Sequence, residues 1–175
     1  MEFVALDTQL NVLADQDPYL KRVYEGTLPC DLLPQRPKKK AAYIVNTDPA
    51  GQPGQHWIAL WTQDNVCEVI DSYGLPLEWY GTTQPIVNWI SKHWKHWVHN
   101  GTSLQGLHSY ACGHCLVYLK MKARGGSLQD FLALFSEHDY VKNDQKVGDM
   151  VEYAACRPGQ QTCQPREKVI KSVGW

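Results

Sequence analysis

The chain has no apolar run of about 18 residues, the length that crosses a bilayer. Its start, Met1-Glu2-Phe3-Val4, lacks the order of basic, then apolar, then small residues, so neither a membrane span nor a secretory signal is expected. Charge of one sign is also missing. The 17 Lys and Arg against 18 Asp and Glu leave a formal net charge of −1, which argues against strong nucleic-acid binding by the chain as a whole. Neither an internal repeat nor a dividing linker is found. The 175 residues, 43% of them apolar, therefore read as one domain over 1–175, with a polar tail over 157–175. Six cysteines are present, but without a secretory signal they read as reduced thiols rather than a disulfide framework. For the same reason the sequon Asn100-Gly101-Thr102 carries little meaning.

Along the chain, the pattern predicts helical material from Asp7 to Tyr24, a Pro-rich link from Pro29 to Pro37, and then a meander of strands. Strand signals run from Ala41 to Thr47, His56 to Thr62 and Val66 to Ser72, parted by the turn formers of 48–54 and of Thr62 to Asn65. Helices are predicted from Thr83 to His99, Cys112 to Arg124 and Ser127 to Ser136, with Gly125-Gly126 stopping the second. A shorter one is expected near Asp144 to Cys156.

Four residues carry the chemistry. Cys112 has Gln105 seven positions before it and Gly113 after it, with His56-Trp57 and Asp71 upstream. A peptide carbonyl is a poor electrophile, so attack on it needs a thiolate and a base that keeps the thiolate available and later protonates the leaving amine. Cys112 and His56 are the candidates. A carboxylate must hold the imidazole in the right tautomer, and the developing oxyanion needs fixed donors. Asp71 and Gln105 fit these tasks.

The second and third strands give a geometric check. A four-residue loop over Thr62 to Asn65 would set Trp61 opposite Val66, Leu60 opposite Cys67, Ile58 opposite Val69 and His56 opposite Asp71, the last three pairs on one face. The stretch from Cys112 bears apolar or thiol side chains at 112, 115, 116 and 119, with Lys120, Lys122 and Arg124 on other sides. Cys112 would then open an amphipathic helix, where the helix dipole and a neighbouring imidazolium can lower a thiol from about 8.5 to roughly 3.5–7.5. Its own backbone N–H could join Gln105 in an oxyanion hole.

These residues bring a resemblance with them. Asp17-Pro18-Tyr19, Ala42-Tyr43-Ile44-Val45-Asn46-Thr47, His56-Trp57, Ile70-Asp71-Ser72-Tyr73-Gly74, Gln105-Gly106 and Ala111-Cys112-Gly113 together resemble the adenovirus-type cysteine proteases, the adenain family. That family includes relatives from virus-like, Maverick/Polinton-type transposons. The resemblance implies an α+β fold, with a mostly antiparallel or mixed central sheet packed between helices. It implies His56, Asp71, Gln105 and Cys112 as general base, orienting carboxylate, oxyanion donor and nucleophile. Gly113 and Trp57 are expected beside them as substrate-binding or shielding residues. It further implies cleavage of viral precursor proteins after small, often glycine-containing sites, in the host nucleus or the virion, and DNA as a partner. The family's peptide activator is tethered by a disulfide, but Trp94 stands where its cysteine is expected. Val69-Ile70-Asp71-Ser72 is closer to SUMO- and ubiquitin-specific proteases, so a deubiquitinase or isopeptidase activity stays open.

Other readings compete for some of the same residues. Cys112-Gly113-His114-Cys115 resembles the redox motif of protein disulfide isomerases, which needs a buried strand feeding the motif; Ser103 to Tyr110 is mostly polar instead. Cys115 reads more simply as a buried helix thiol. His93, His96 and His99 lack a partner to complete a metal site, and no metal or cofactor is required. Ile86, Trp89, Ile90, His93 and Trp97 read as the core stripe of their helix. Lys92, Lys95, His96 and His99, with Lys38-Lys39-Lys40, form a possible nucleic-acid stripe, though such runs are more often plain surface. His108 and His114 flank the nucleophile but lack the paired carboxylate that His56 has, and His138 has no evident partner. Trp57 is expected beside the imidazole, shielding it from water, or equally as a core residue. A monomer is expected.

Overall fold

The computed structural model describes residues 2–106 and 112–155. The 157–175 tail and His108 lie outside the described residues, as does the side chain of Cys112. Five strands, β1 (Tyr24–Pro29), β2 (Ala41–Asn46), β3 (Trp57–Gln63), β4 (Val66–Ile70) and β5 (His96–His99), form one sheet in the order β1-β2-β3-β4-β5. β2, β3 and β4 run antiparallel, while β1 lies parallel to β2 and β5 parallel to β4. Helices α1 (Glu2–Gln16), α2 (Gln84–His93), α3 (Cys112–Ala123), α4 (Leu128–Leu132) and α5 (Tyr140–Ala155) complete an α+β fold with a mixed sheet.

Alternation divides the core between the two faces of the sheet. Ala42, Ile44, Ala59, Trp61 and Ile70 meet Leu116 and Leu119 of α3, Phe131 of α4, Val147 of α5 and Leu10 of α1. Tyr43, Val45, Ile58, Leu60 and Val69 meet Ile86, Trp89 and Ile90 of α2. With both faces covered, all of β2 is buried, which is why its sequence is an almost unbroken apolar run.

Several elements differ from the sequence reading. The helix predicted as far as His99 stops at His93. Trp94 turns extended (φ −124°, ψ 128°), and His96–His99 pairs with Val66–Val69 on the edge of β4. Edge pairing overrides the helical stripe, so Trp97 is 43% exposed rather than core, and His93, His96 and His99 do not share a helix face. The segment up to Tyr24 is not continuous helix either: Asp17 accepts the N–H groups of Tyr19 and Leu20 and starts a short 3-10 turn, Leu20–Arg22, which leads into β1. α4 is shorter than expected, fixed at its start by a reciprocal Ser127 and Asp130 capping pair. α3 is buried from Gly113 through Lys120 rather than on one stripe, because α1, α4 and α5 cover the sides that the sheet leaves open. Burial pushes the Lys120 ammonium down to about 8, against the attraction of Asp17.

Candidate active site

The β3–β4 turn sets the site. Asp64 and Asn65 both take left-handed backbone (φ 53° and 63°), the two-residue turn favoured in hairpins, and Gln63 pairs with Val66. The loop is therefore two residues shorter than the predicted one. Leu60 sits opposite Val69, not Cys67, and Trp61 opposite Glu68, not Val66. A shift of two preserves which face each side chain occupies. His56, just before β3, and Asp71, just after β4, thus remain on one side as diagonal neighbours instead of directly opposed.

They meet at 2.7 Å, His56 Nε2 to Asp71 Oδ1, with both side chains buried. Asp71 Oδ1 also accepts the Tyr73 N–H at 3.0 Å, while Oδ2 accepts the Leu75 N–H at 3.2 Å and the Tyr80 hydroxyl at 2.5 Å. Burial pushes the Asp71 carboxyl up, but the bonds from His56, Tyr80 and Tyr73 outweigh it and hold the group below the ordinary carboxylate range. An ionised carboxylate only accepts, so Nε2 of His56 carries the proton. Nδ1 is then the ring nitrogen left to take a proton from, or give one to, a reacting group. The rings lying against His56 are Tyr73 (centroids 4.8 Å apart) and Tyr80 (5.1 Å, nearly parallel). The indole of Trp57 belongs to the core between sheet and helices, and its N–H donates to Asp7 of α1 at 2.7 Å.

Gln105 is brought to the same end of the sheet by backbone bonds. The Ser72 carbonyl, next to Asp71, accepts the N–H groups of Leu104 (2.7 Å) and Gln105 (3.3 Å). Asn143 of α5 donates to the Leu104 carbonyl at 3.0 Å. Gly74, at φ +66°, lets this strand exit lie against 102–103; a Cβ there would stand 2.4 Å from the Thr102 carbonyl carbon. Gln105 itself is buried.

α3 begins at Cys112, and its first turn is tied to the same place. The buried Cys115 thiol donates to the Trp57 carbonyl at 3.4 Å, one residue from His56. Gly113 faces α5, where a Cβ would be 2.5 Å from Val147 Cγ1; its small size serves helix packing, a role the sequence reading did not give it. His114 packs on Phe135, and burial pushes its imidazole down to about 4, which keeps it neutral near pH 7.

The remaining candidates lie elsewhere. Lys38, Lys39, Lys40 and Lys95 sit just before β2 and β5, at the sheet end opposite His56 and Asp71, and Lys92 is in the last turn of α2. Lys38 pairs with Glu25 at 2.6 Å. His99 Nδ1 accepts the Gly101 N–H, and among the described residues no group of three His, Cys, Asp or Glu is placed to hold a metal. The sequon residue Asn100 is buried, with its amide hydrogen-bonded to Asp71 and Thr102.

No family model matches the chain, and no curated protein matches its sequence. Two solved structures of the ASFV pS273R protease are similar to it. One shows a TM-score of 0.47 at 13% identity, covering 77% of this chain and 65% of that one. The other, a selenomethionine form, shows 0.42 at 17% identity, covering 62% and 44%. The chain thus spans less than two thirds of either solved chain.

Tyr80 and Asn100 are the site residues that sequence reasoning missed. Tyr80 reaches Asp71 from a 3-10 turn, Leu77–Tyr80, and Asn100 from the exit of β5. No local pattern marks either residue, because both act through chain crossings that only the fold creates.

Proposed function

We propose that the chain is a cysteine endopeptidase with Cys112 as nucleophile and His56 as base. The observation that carries this reading is the buried His56 and Asp71 pair, whose Nδ1 is left uncommitted to Asp71, beside a helix that opens at Cys112. In the proposed reaction the Cys112 thiolate attacks the scissile carbonyl, and Gln105 with the Cys112 N–H stabilises the oxyanion. His56 then passes its Nδ1 proton to the departing amine. Water, deprotonated by His56, hydrolyses the thioester and restores the free thiol. Asp71 orients the ring and stabilises the imidazolium without itself taking a proton.

The resemblance to adenain-type enzymes favours maturation of viral or virus-like precursor proteins at small, glycine-containing sites, in the host nucleus or virion, by a monomer. A peptide or DNA activator belongs to this reading, and DNA would meet the lysines at the far end of the sheet. The Val69-Ile70-Asp71-Ser72 segment favours, as a second reading, isopeptidase action on ubiquitin-like proteins. The disulfide-exchange reading is less well supported: β5 lies several residues before α3, and the Cys115 thiol is buried against the Trp57 carbonyl.

The test treats the protein with an electrophilic peptide probe ending in Gly-Gly and locates the adduct by mass spectrometry. An adduct on Cys112 that is lost in His56→Ala is expected. A reversible Cys112–Cys115 disulfide with no His56-dependent adduct would overturn the reading.

A further inference from the structure

We propose that Tyr80 is a positioning residue for the His56 and Asp71 pair, its ring face setting the imidazole plane and its hydroxyl setting the rotation of the carboxylate. The inference rests on the reading of His56 as base. Tyr80 makes both contacts at once: its ring stacks on His56 with 19° between the planes, and its O–H donates to Asp71 Oδ2 at 2.5 Å. Each carboxylate oxygen then has two donors, His56 and the Tyr73 N–H on Oδ1, Tyr80 and the Leu75 N–H on Oδ2. Without the hydroxyl, Oδ2 keeps a single bond and the group is free to turn Oδ1 away from Nε2.

The ring is held from both sides. Thr47 gives its N–H (2.9 Å) and its hydroxyl (3.2 Å) to the His56 carbonyl, and its own carbonyl accepts the Thr82 hydroxyl at 2.6 Å, two residues beyond Tyr80. Gly81 turns left-handed (φ +70°) directly after Tyr80, and the Thr83 hydroxyl donates to the Leu77 carbonyl. His56 and Tyr80 are thus fixed to one frame through Thr47. Burial and the neighbouring Asp71 carboxylate hold the Tyr80 phenol far above its ordinary range, so it remains a donor wherever the enzyme works. The aromatic face also favours the imidazolium that forms when His56 holds the extra proton. Among the described residues, the titratable groups in contact with His56 are Asp71, Tyr73 and Tyr80. Trp79 next door is 73% exposed and serves as the control.

The experiment reads the low-field NMR signal of the His56 Nε2 proton, assigned by its loss in His56→Ala, in the 175-residue wild type, Tyr80→Phe, Tyr80→Leu and Trp79→Leu. Steady-state rates on a Gly-Gly peptide ester are measured in parallel. Tyr80→Phe is expected to move the signal upfield, because Oδ1 is then free to turn away from Nε2, and to lower kcat by about 2- to 10-fold, the size of one hydrogen bond, with KM unchanged. Tyr80→Leu is expected to broaden the signal and cost more rate, with Phe restoring part of it. Trp79→Leu should match wild type. An identical signal in wild type, Tyr80→Phe and Tyr80→Leu would overturn the proposal, as would equal effects in Trp79→Leu. A protein that cleaves no peptide yet shows the expected Tyr80 effects on the His56 signal would sink the protease reading and leave this one standing.

Discussion

Asn100 holds both backbone groups of Asp71 with one side-chain amide: its Oδ1 accepts the Asp71 N–H at 2.9 Å, and its Nδ2 donates to the Asp71 carbonyl at 2.7 Å. The other amide hydrogen goes to the Thr102 carbonyl at 2.9 Å, so the exits of β4 and β5 are joined where the carboxylate must be aimed. Asn100→Ala leaves a buried N–H and a buried carbonyl without this partner, each costing about 1–3 kcal/mol. The expected loss is about 2–6 kcal/mol in urea unfolding, with kcat reduced more than KM rises. A variant with wild-type stability and kcat would show that the amide does not aim Asp71.

Cys115→Ala separates the two thiols of the Cys112-Gly113-His114-Cys115 segment. Cys115 is buried and bonded to a main-chain carbonyl, so its removal should cost roughly 1–2 kcal/mol of stability and leave peptidase activity within about threefold of wild type. Cys112→Ala should abolish turnover while keeping the fold. An inactive Cys115→Ala beside an active Cys112→Ala would move the nucleophile.

Gly74→Ala tests the link between the two halves of the site. The residue sits at φ +66°, and an added Cβ would stand 2.4 Å from the Thr102 carbonyl carbon and 2.6 Å from the Ser103 nitrogen, backbone atoms that cannot rotate away. Left-handed strain of about 1–2 kcal/mol adds to about 1–3 kcal/mol of overpacking. The backbone can relieve this only by separating Ser72 from Leu104 and Gln105. A lowered thermal midpoint together with a lowered kcat is expected; loss of stability at unchanged kcat would uncouple this crossing from the placement of Gln105.

What could be read in the sequence, and what could not, follows from the range of the interactions. β2, β3 and β4 are legible because each is an apolar run bounded by turn formers, and the side-chain alternation that places His56 and Asp71 on one face survives an error in loop length. β1 and β5 are not. Both are edge strands whose parallel partners are reached only after a loop or a helix, and Tyr24–Pro29 carries a Gly and ends in Pro, while His96–His99 continues the helical stripe of α2 in sequence. The burial of Lys120 is illegible for a related reason: the sequence shows one apolar stripe on α3 with Lys120 off it, but three other helices cover its remaining sides.

His114 makes the acid stability of the fold a test of the packing behind Cys112. Its imidazole is neutral and pushed down to about 4 by burial, from an ordinary value of 6.5. Between those values the unfolded chain binds a proton that the folded chain refuses, so unfolding is favoured as pH falls from about 6.5 to about 4, and the loss is complete below that. The magnitude is on the order of 3 kcal/mol. His114→Leu removes this linkage whatever its effect on packing at pH 7. Urea midpoints at pH 7 and pH 4.5 should therefore fall less in His114→Leu than in wild type; an equal fall would mean that His114 accepts its proton without disturbing the start of α3.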